Sequence, residues 1–391
     1  MITGLRRFWG RPIGVACASG VIALLVVAGI ALASEHGVSG FVHAAPPWTD
    51  PAAAPSSLEV LPRGSTFDGQ FYYRMAVRPF STAERVEGVI FDTPALRSAR
   101  IGYPLLGYLG SLGDPDLVPL ALIAVNVLAM FALGWFGGAL AVDSGRPAVW
   151  GLLLPLYPGF VYSLGFDLTE IVAAASLAGA VLALRRQHTV VAVLLATYAV
   201  LTRETAAVLP IALVVMWVWE FARRRIGAGE QRAQLIVGVI PLAVAAVWQI
   251  ALRLQWGSFP IGDSGNTNIV VPLSGLIDAR DKFSPSSGAG LFRDASLAFL
   301  VLAITVAAVS LARSHARPYE KAAFVFAVVV AMLPNHFIWA GATSFMRAAT
   351  EAYVFAVIVV MGARIAADKL LAASTVAMFG LTVGSEISKA K

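Results

Sequence analysis

The stretch RSARIGYPLLGYLGSLG, Arg97 to Gly113, decides how this chain is threaded. It is apolar, but shorter than the roughly 20 residues a helix needs to cross the hydrocarbon, and GDPD follows it directly. If it crossed, every basic cluster downstream would change sides. Read as a helix lying on the outer membrane surface, it leaves Arg146, RRQH (Arg185–His188), RRR (Arg223–Arg225) and RSHARPYEK (Arg313–Lys321) on one face, with Arg6, Arg7 and Arg11. Lys and Arg in short loops mark the cytoplasmic side, which assigns that face to the cytoplasm.

Composition supports a chain that lives in lipid. Of 391 residues, 58% are hydrophobic and only 13% charged, with a mean hydropathy of +0.76. The formal charge of +6 sits in clusters between apolar runs, which is the positive-inside pattern, so nucleic acid is not an expected partner. The single cysteine, Cys17, lies inside the first apolar run and excludes a disulfide framework or a thiolate zinc site. That run, Ile13 to Ala33, exceeds the roughly 7–15 residues of a signal h-region and reads as an uncleaved signal anchor.

The expected architecture is an all-α polytopic membrane protein with about ten or eleven transmembrane helices. Residues 1–33 form the anchor, 34–116 a first extracytoplasmic loop with juxtamembrane helices, and 117–391 the bundle, with an outer loop at 253–294. Ala45–Arg63 is rich in proline and small residues and is expected to be extended. Several apolar runs are short, which is tolerable where neighbouring helices rather than lipid cover their ends. The last, Leu370–Gly384, is the weakest. No internal repeat is visible. Abundant alanine, arginine and glycine suit the plasma membrane of a GC-rich bacterium.

Chemistry-bearing residues concentrate on the outer face. In STFDGQFYYRMAVRPF (Ser65–Phe80), Phe67, Phe71 and Met75 fall on one helical stripe, and Asp68 precedes it as a natural N-cap. Tyr72, Tyr73 and Arg74 suit the headgroup layer. Two readings stay open here: a capped interfacial helix, or an acid held as general base at the mouth of a membrane pocket. GFDLTE supplies Asp167 and Glu170, LTRET supplies Arg203 and Glu204, LPNHF supplies Asn335 and His336, and SFMRAATE supplies Arg347 and Glu351. Ionisable groups this close to hydrocarbon are costly and point to function. Asp167 or Glu170 paired with Arg203 would also serve merely to hold helices together. Arg347 and His336 are the best candidates for an anion, arginine because its fork matches a phosphate.

FDGQFYYRMA, with YPLL some way downstream, LYPGFVYSLGFDLTE and LTRET resemble bacterial membrane glycosyltransferases of the GT-C superfamily over roughly Phe67 to Pro210. GPI mannosyltransferases share a related Trp-Asp-Gly motif in their first luminal loop. The resemblance implies a GT-C-like bundle, a polyprenyl-phosphate sugar donor, an extracytoplasmic glycan, lipid or protein acceptor, inversion at the anomeric carbon, and Asp68 as the acid that activates the acceptor. Gln70, Tyr73, Arg74, Arg100 and Tyr103 of the same region, with Asp167, Glu170, Arg203, Glu204, His336 and Arg347, are then candidates for the donor phosphate or substrate. The chain departs from members with two close acids in this loop. Gly69 and Gln70 follow Asp68 and the next acid is Glu84; Asp92 is a candidate second acid once the loop folds, though nothing local singles it out. One carboxylate makes a poor divalent-metal site, so a divalent metal stays open but without assigned ligands, and no other cofactor is assigned. A transporter or flippase of a lipid-linked substrate, or a non-catalytic envelope assembly protein, are the competing functions.

Overall fold

The computed structural model describes residues 10–223, 228–260, 269–280 and 287–390. Arg6, Arg7, Arg224, Arg225 and residues 261–268 and 281–286 of the outer loop lie outside the described residues. In chain order the helices are α1 (Pro12–Ala33), α2 (Gly69–Val77), α3 (Pro94–Ser98), α4 (Gly102–Ser111), α5 (Val118–Asp143), α6 (Gly159–Gly165), α7 (Glu170–Arg185) and α8 (Thr189–Thr202). They continue as α9 (Val208–Ala222), α10 (Ala228–Trp256), α11 (Ser274–Asp278), α12 (Gly288–Ser310), α13 (Pro318–Ala331), α14 (His336–Trp339), α15 (Ala342–Ala348), α16 (Thr350–Met361) and α17 (Ala367–Lys389). One small antiparallel hairpin, β1 (Arg85–Val86) and β2 (Val89–Ile90), interrupts them.

Among the described residues six segments are long and apolar enough to cross a membrane: α1, α5, Glu204–Ala222, Gly229–Trp256, α12 and α17. The pair α15 and α16 passes the same test together but bends by 55° between them. The chain is a multi-pass α-helical membrane protein. α17 extends well beyond the weak apolar run that marks it in the sequence.

In lipid, close packing rather than the hydrophobic effect holds helices together, so small residues belong at the contacts. Gly134 and Gly138 of α5 form a small-xxx-small pair facing α1. A Cβ on Gly134 would lie 2.3 Å from Ser19 Oγ, and one on Gly138 would lie 2.9 Å from Pro12 Cα. The short helices are central. Every residue of α16 is buried, as is nearly all of α7, so protein rather than lipid meets their ends. The apolar run Pro147–Phe166 is not one helix. It is a 3-10 turn, Ala148–Leu153, followed after a break by α6.

Arginines organise one end of the bundle. Arg146 donates to the Met361 carbonyl (3.0 Å), to the Ala363 carbonyl and to Asp368 (2.8 Å), capping the end of α16, where exposed carbonyls favour a cation. Arg185 grips Glu320 with both edges of its fork (2.7 and 2.8 Å), and Arg186 meets Asp143 (3.2 Å).

The opposite end carries the first loop, where two expectations are corrected. α2 does not lie on a membrane surface. All of Gly69–Val77 is buried under the rest of the loop. Its guanidinium, Arg74, faces no headgroups but donates to the carbonyls of Ala83, Glu84 and Val89 in and beside the hairpin. The Glu87–Gly88 turn of that hairpin, with positive φ at both residues (44° and 79°), is the twist-matched two-residue type. The second correction concerns Arg97–Gly113, which is two helices rather than one. The chain breaks at Ala99–Ile101, where the Ala99 carbonyl accepts from Trp248 Nε1 (3.3 Å) and Gly102 sits against Thr202. At 10 residues, α4 is about 15 Å long, half a bilayer core.

Candidate active site

Three chain segments meet at the head of α2. A Cβ on Gly69 would lie 2.6 Å from the Phe166 carbonyl oxygen and 2.7 Å from that of Val42. Only glycine fits. Its neighbours on those segments, Asp167 and His43, hold left-handed backbone (φ 49° and 50°), a conformation uncommon for residues with a side chain.

Asp68 occupies the N-cap position, but with helical φ and ψ (−64°, −22°) and no capping hydrogen bond. The expected cap is absent because the carboxylate is engaged elsewhere. Arg97 Nη1 donates to one oxygen and Arg347 Nη2 to the other, each at 2.8 Å. Arg97 is held in turn by Asp92, through Nε (2.8 Å) and Nη2 (2.6 Å). Arg347 Nε donates to Glu170 (2.8 Å), whose other oxygen accepts from the Ser163 hydroxyl (2.9 Å). The row Asp92–Arg97–Asp68–Arg347–Glu170 thus sets three carboxylates against two guanidiniums. Aromatic faces back both cations, Phe71 under Arg97 (4.4 Å) and Phe67 under Arg347 (5.2 Å).

Burial alone would push the Asp68 carboxyl up. The charges of Arg97, Arg347 and Arg100 outweigh it and hold the group well below the usual carboxylate range. Two further pairs flank the row. Arg100 meets Glu204 through Nε (3.0 Å) and Nη2 (2.6 Å), and its Nη1 donates to the Tyr72 hydroxyl (3.3 Å). Arg203 meets Glu351 (3.4 Å), which also accepts from the Thr205 hydroxyl (2.8 Å). Arg347 stands near the end of α15, just ahead of the bend into α16.

The structure therefore brings Asp68, Glu170 and Arg347 into direct contact, with Arg100–Glu204 and Arg203 beside them. It does not pair Arg203 with Asp167 or Glu170. Other expected residues do structural work. Gln70 accepts from the Thr49 hydroxyl (2.8 Å) and donates to the Phe67 carbonyl (3.1 Å), tying the loop. The Tyr103 hydroxyl donates to the Leu122 carbonyl (3.1 Å) and accepts from Asn126 (2.9 Å). Tyr73 is fully buried, its hydroxyl without a partner. His336 opens α14 with its ring against Phe337, and among the described residues no hydrogen bond or ion pair joins it to Asp68. Asp167 is fully buried and neither oxygen has a hydrogen-bond partner, so burial pushes its carboxyl well above the usual range.

The residues missed by sequence reasoning are Arg97 and His43. Arg97 stands three residues before Arg100, a spacing that places both on one face of a turn. His43 gave no signal in the sequence.

Phe67 also lines a cavity of about 530 Å³ between the C-terminal ends of α1 and α17. Phe67 and Phe166 stack there at 4.5 Å, with His43 edge-on to Phe166 at 4.5 Å. Among the described residues no group of three or more His, Cys, Asp or Glu is placed to hold a metal ion.

No family model matches the chain, and neither a curated protein nor a solved structure matches it. Fold and geometry together define a class: a multi-pass α-helical membrane protein with a buried acid–arginine row at one end of its bundle.

Proposed function

We propose that the chain is a GT-C-type glycosyltransferase that moves a sugar from a polyprenyl-phosphate donor to an extracytoplasmic acceptor. The observation that carries this reading is the Asp68 carboxylate held between Arg97 and Arg347, two cations from distant parts of the chain, beside a cavity. A transfer from a lipid phosphate needs that combination: an acid to take the acceptor proton and cations to hold the leaving phosphate. In the reaction the acceptor oxygen forms a bond to the anomeric carbon and its proton passes to Asp68. The bond from that carbon to the phosphate oxygen breaks, and the phosphate leaves with the electron pair. The row lies opposite the Arg146–Arg185 end, which with the positive-inside rule supports an extracytoplasmic site. In this reading the 148–165 segment that ends in α6, with α7, α8, α13 and the bent pair, crosses as well, giving eleven spans.

As pinned, Asp68 is a weak base. Its proton affinity is low because two guanidiniums already share its charge. A donor phosphate competes for those guanidiniums with the carboxylate, and its arrival releases Asp68 and restores its basicity. Donor occupancy and base strength are then one event. The bent pair α15–α16 also suits a transporter, since broken helices build mid-membrane sites.

One assay separates these classes. Purified protein in vesicles is given radiolabelled polyprenyl-phosphate sugar and an acceptor extract, and transfer and transbilayer movement are both scored. Label transfer lost in Asp68→Asn supports the enzyme. Movement of the lipid without transfer would establish the transporter instead.

A further inference from the structure

We infer that the cavity between α1 and α17 binds a neutral saccharide, with the His43 imidazole accepting a hydrogen bond from one of its hydroxyls. The lining argues for that ligand class. His43 Nδ1 lies 3.3 Å from the Ser65 carbonyl, and since a carbonyl only accepts, Nδ1 carries the proton and Nε2 keeps a lone pair. Among the described residues only Nδ1 of the ring makes a hydrogen bond, and His43 lines the cavity. Burial pushes the imidazole down to about 4, so it is neutral in ordinary buffers.

Around it, the remaining polar lining is rich in acceptors. Glu35 and Glu386 bring carboxylates, and Ser65 and Thr66 bring hydroxyls. The other basic side chains of the lining are already committed, Lys389 to Glu386 (2.6 Å) and His36 to Glu59 (2.6 Å). Among the described residues no arginine lines it, so a phosphate entering here would meet two carboxylates and no bidentate fork. A polyol meets acceptors for its hydroxyls, while Phe67 and Phe166 offer apolar surface to its C–H groups. About 530 Å³ falls within the usual range for small-ligand pockets. Phe67 is shared with the Arg347 contact, which places this cavity next to the acid row without making it part of it. The assignment rests on the proposed activity only in naming the saccharide as acceptor.

The test uses the full chain in nanodiscs, free of glycoside detergent, with neutral methyl hexosides as probes and glycerol 3-phosphate as the anionic control. Affinities are read by saturation-transfer NMR. His43→Asn removes the imidazole yet suits left-handed backbone, where Asn is favoured. Ala390→Trp fills the cavity from its rim at the chain end, so it tests the site even if His43→Asn misfolds. Both are expected to weaken hexoside binding at least about tenfold, as loss of one buried hydrogen bond does. The assignment is overturned if no hexoside binds, if both folded variants bind as the parent does, or if glycerol 3-phosphate is preferred. Hexoside binding in a protein that transfers no label would sink the proposed activity alone. Transfer without hexoside binding would sink the cavity assignment alone.

Discussion

Replacing Asp68 with Asn tests the exchange of partners on which the proposed mechanism depends. The substitution keeps the shape and removes the charge between Arg97 and Arg347. Neither arginine is stranded, because Asp92 still grips the first and Glu170 the second. Stranding a buried charge costs about 3–5 kcal/mol, so the loss should be smaller. Two charge-assisted hydrogen bonds, each worth about 1.5–3 kcal/mol, are weakened, and the Asn carbonyl recovers part of one. With the carboxylate side chain only 20% exposed, solvent screening discounts little. The expected destabilisation is about 2–3 kcal/mol, read by thermal unfolding in nanodiscs. Transfer should fall at least about a hundredfold, the lower end for loss of a general base. Donor binding should move the other way. A neutral amide competes less well than a carboxylate for the two guanidiniums, so donor should bind about tenfold tighter. Weaker donor binding in the folded variant would refute the exchange, and near-normal transfer would refute the base.

Arg347→Ala should cost more stability than Asp68→Asn, about 3–5 kcal/mol, because it strands Glu170, whose side chain is 1% exposed. Lysine there should rescue stability in part and donor affinity less, since it lacks the fork. Asp167→Asn should stabilise the protein, and increasingly so with rising pH. Its carboxyl is raised in the folded state, so the parent loses stability as pH climbs above the unfolded value near 4, by about 1.4 kcal/mol per unit until the folded group ionises. A flat difference between parent and variant across pH 4–7 in thermal unfolding would mean that Asp167 ionises as readily folded as unfolded. Gly69→Ala drives a methyl into two backbone carbonyls and should cost about 3 kcal/mol or more, with loss of transfer. For sidedness, in a Cys17→Ala background, an impermeant maleimide should label Ser56→Cys in intact cells and miss His315→Cys. Ser314 is unsuitable as a probe site because it is buried with its hydroxyl on the Val359 carbonyl. The reverse labelling would put Asp68 in the cytoplasm and end the proposal.

Periodicity and charge made the class legible, since lipid imposes both on any helix that crosses it. The fates of individual polar residues depend on contacts far along the chain. Arg74 and Arg97 both sit in the first loop, and the local sequence does not say what either guanidinium will face. The hairpin Arg85–Ile90 folds its carbonyls over the first and turns it into a structural tie. Asp92 orients the second, leaving its Nη1 for Asp68. The stripe Phe67–Phe71–Met75 marked the helix, although Phe67 lies ahead of its first turn, and gave its surroundings wrongly. An amphipathic pattern reports which face is apolar, and cannot say whether loop or lipid covers the polar one.

The cap expectation for Asp68 failed for a reason that bears on function. Asp at an N-cap satisfies an orphan amide for about 1 kcal/mol. Two guanidiniums in a partly desolvated site offer more, roughly twice the strength per hydrogen bond of a neutral pair. The carboxylate therefore turned away from its own helix. With three carboxylates sharing two guanidiniums, the row carries one negative charge more than its cations balance. A phosphate added to that row without displacement would deepen the imbalance at short range. Displacing Asp68 from Arg97 and Arg347 is the route that keeps both cations paired, because it trades one anion for another at each. The acid given up in that trade is the one beside Phe67 and the cavity, where an acceptor hydroxyl would stand.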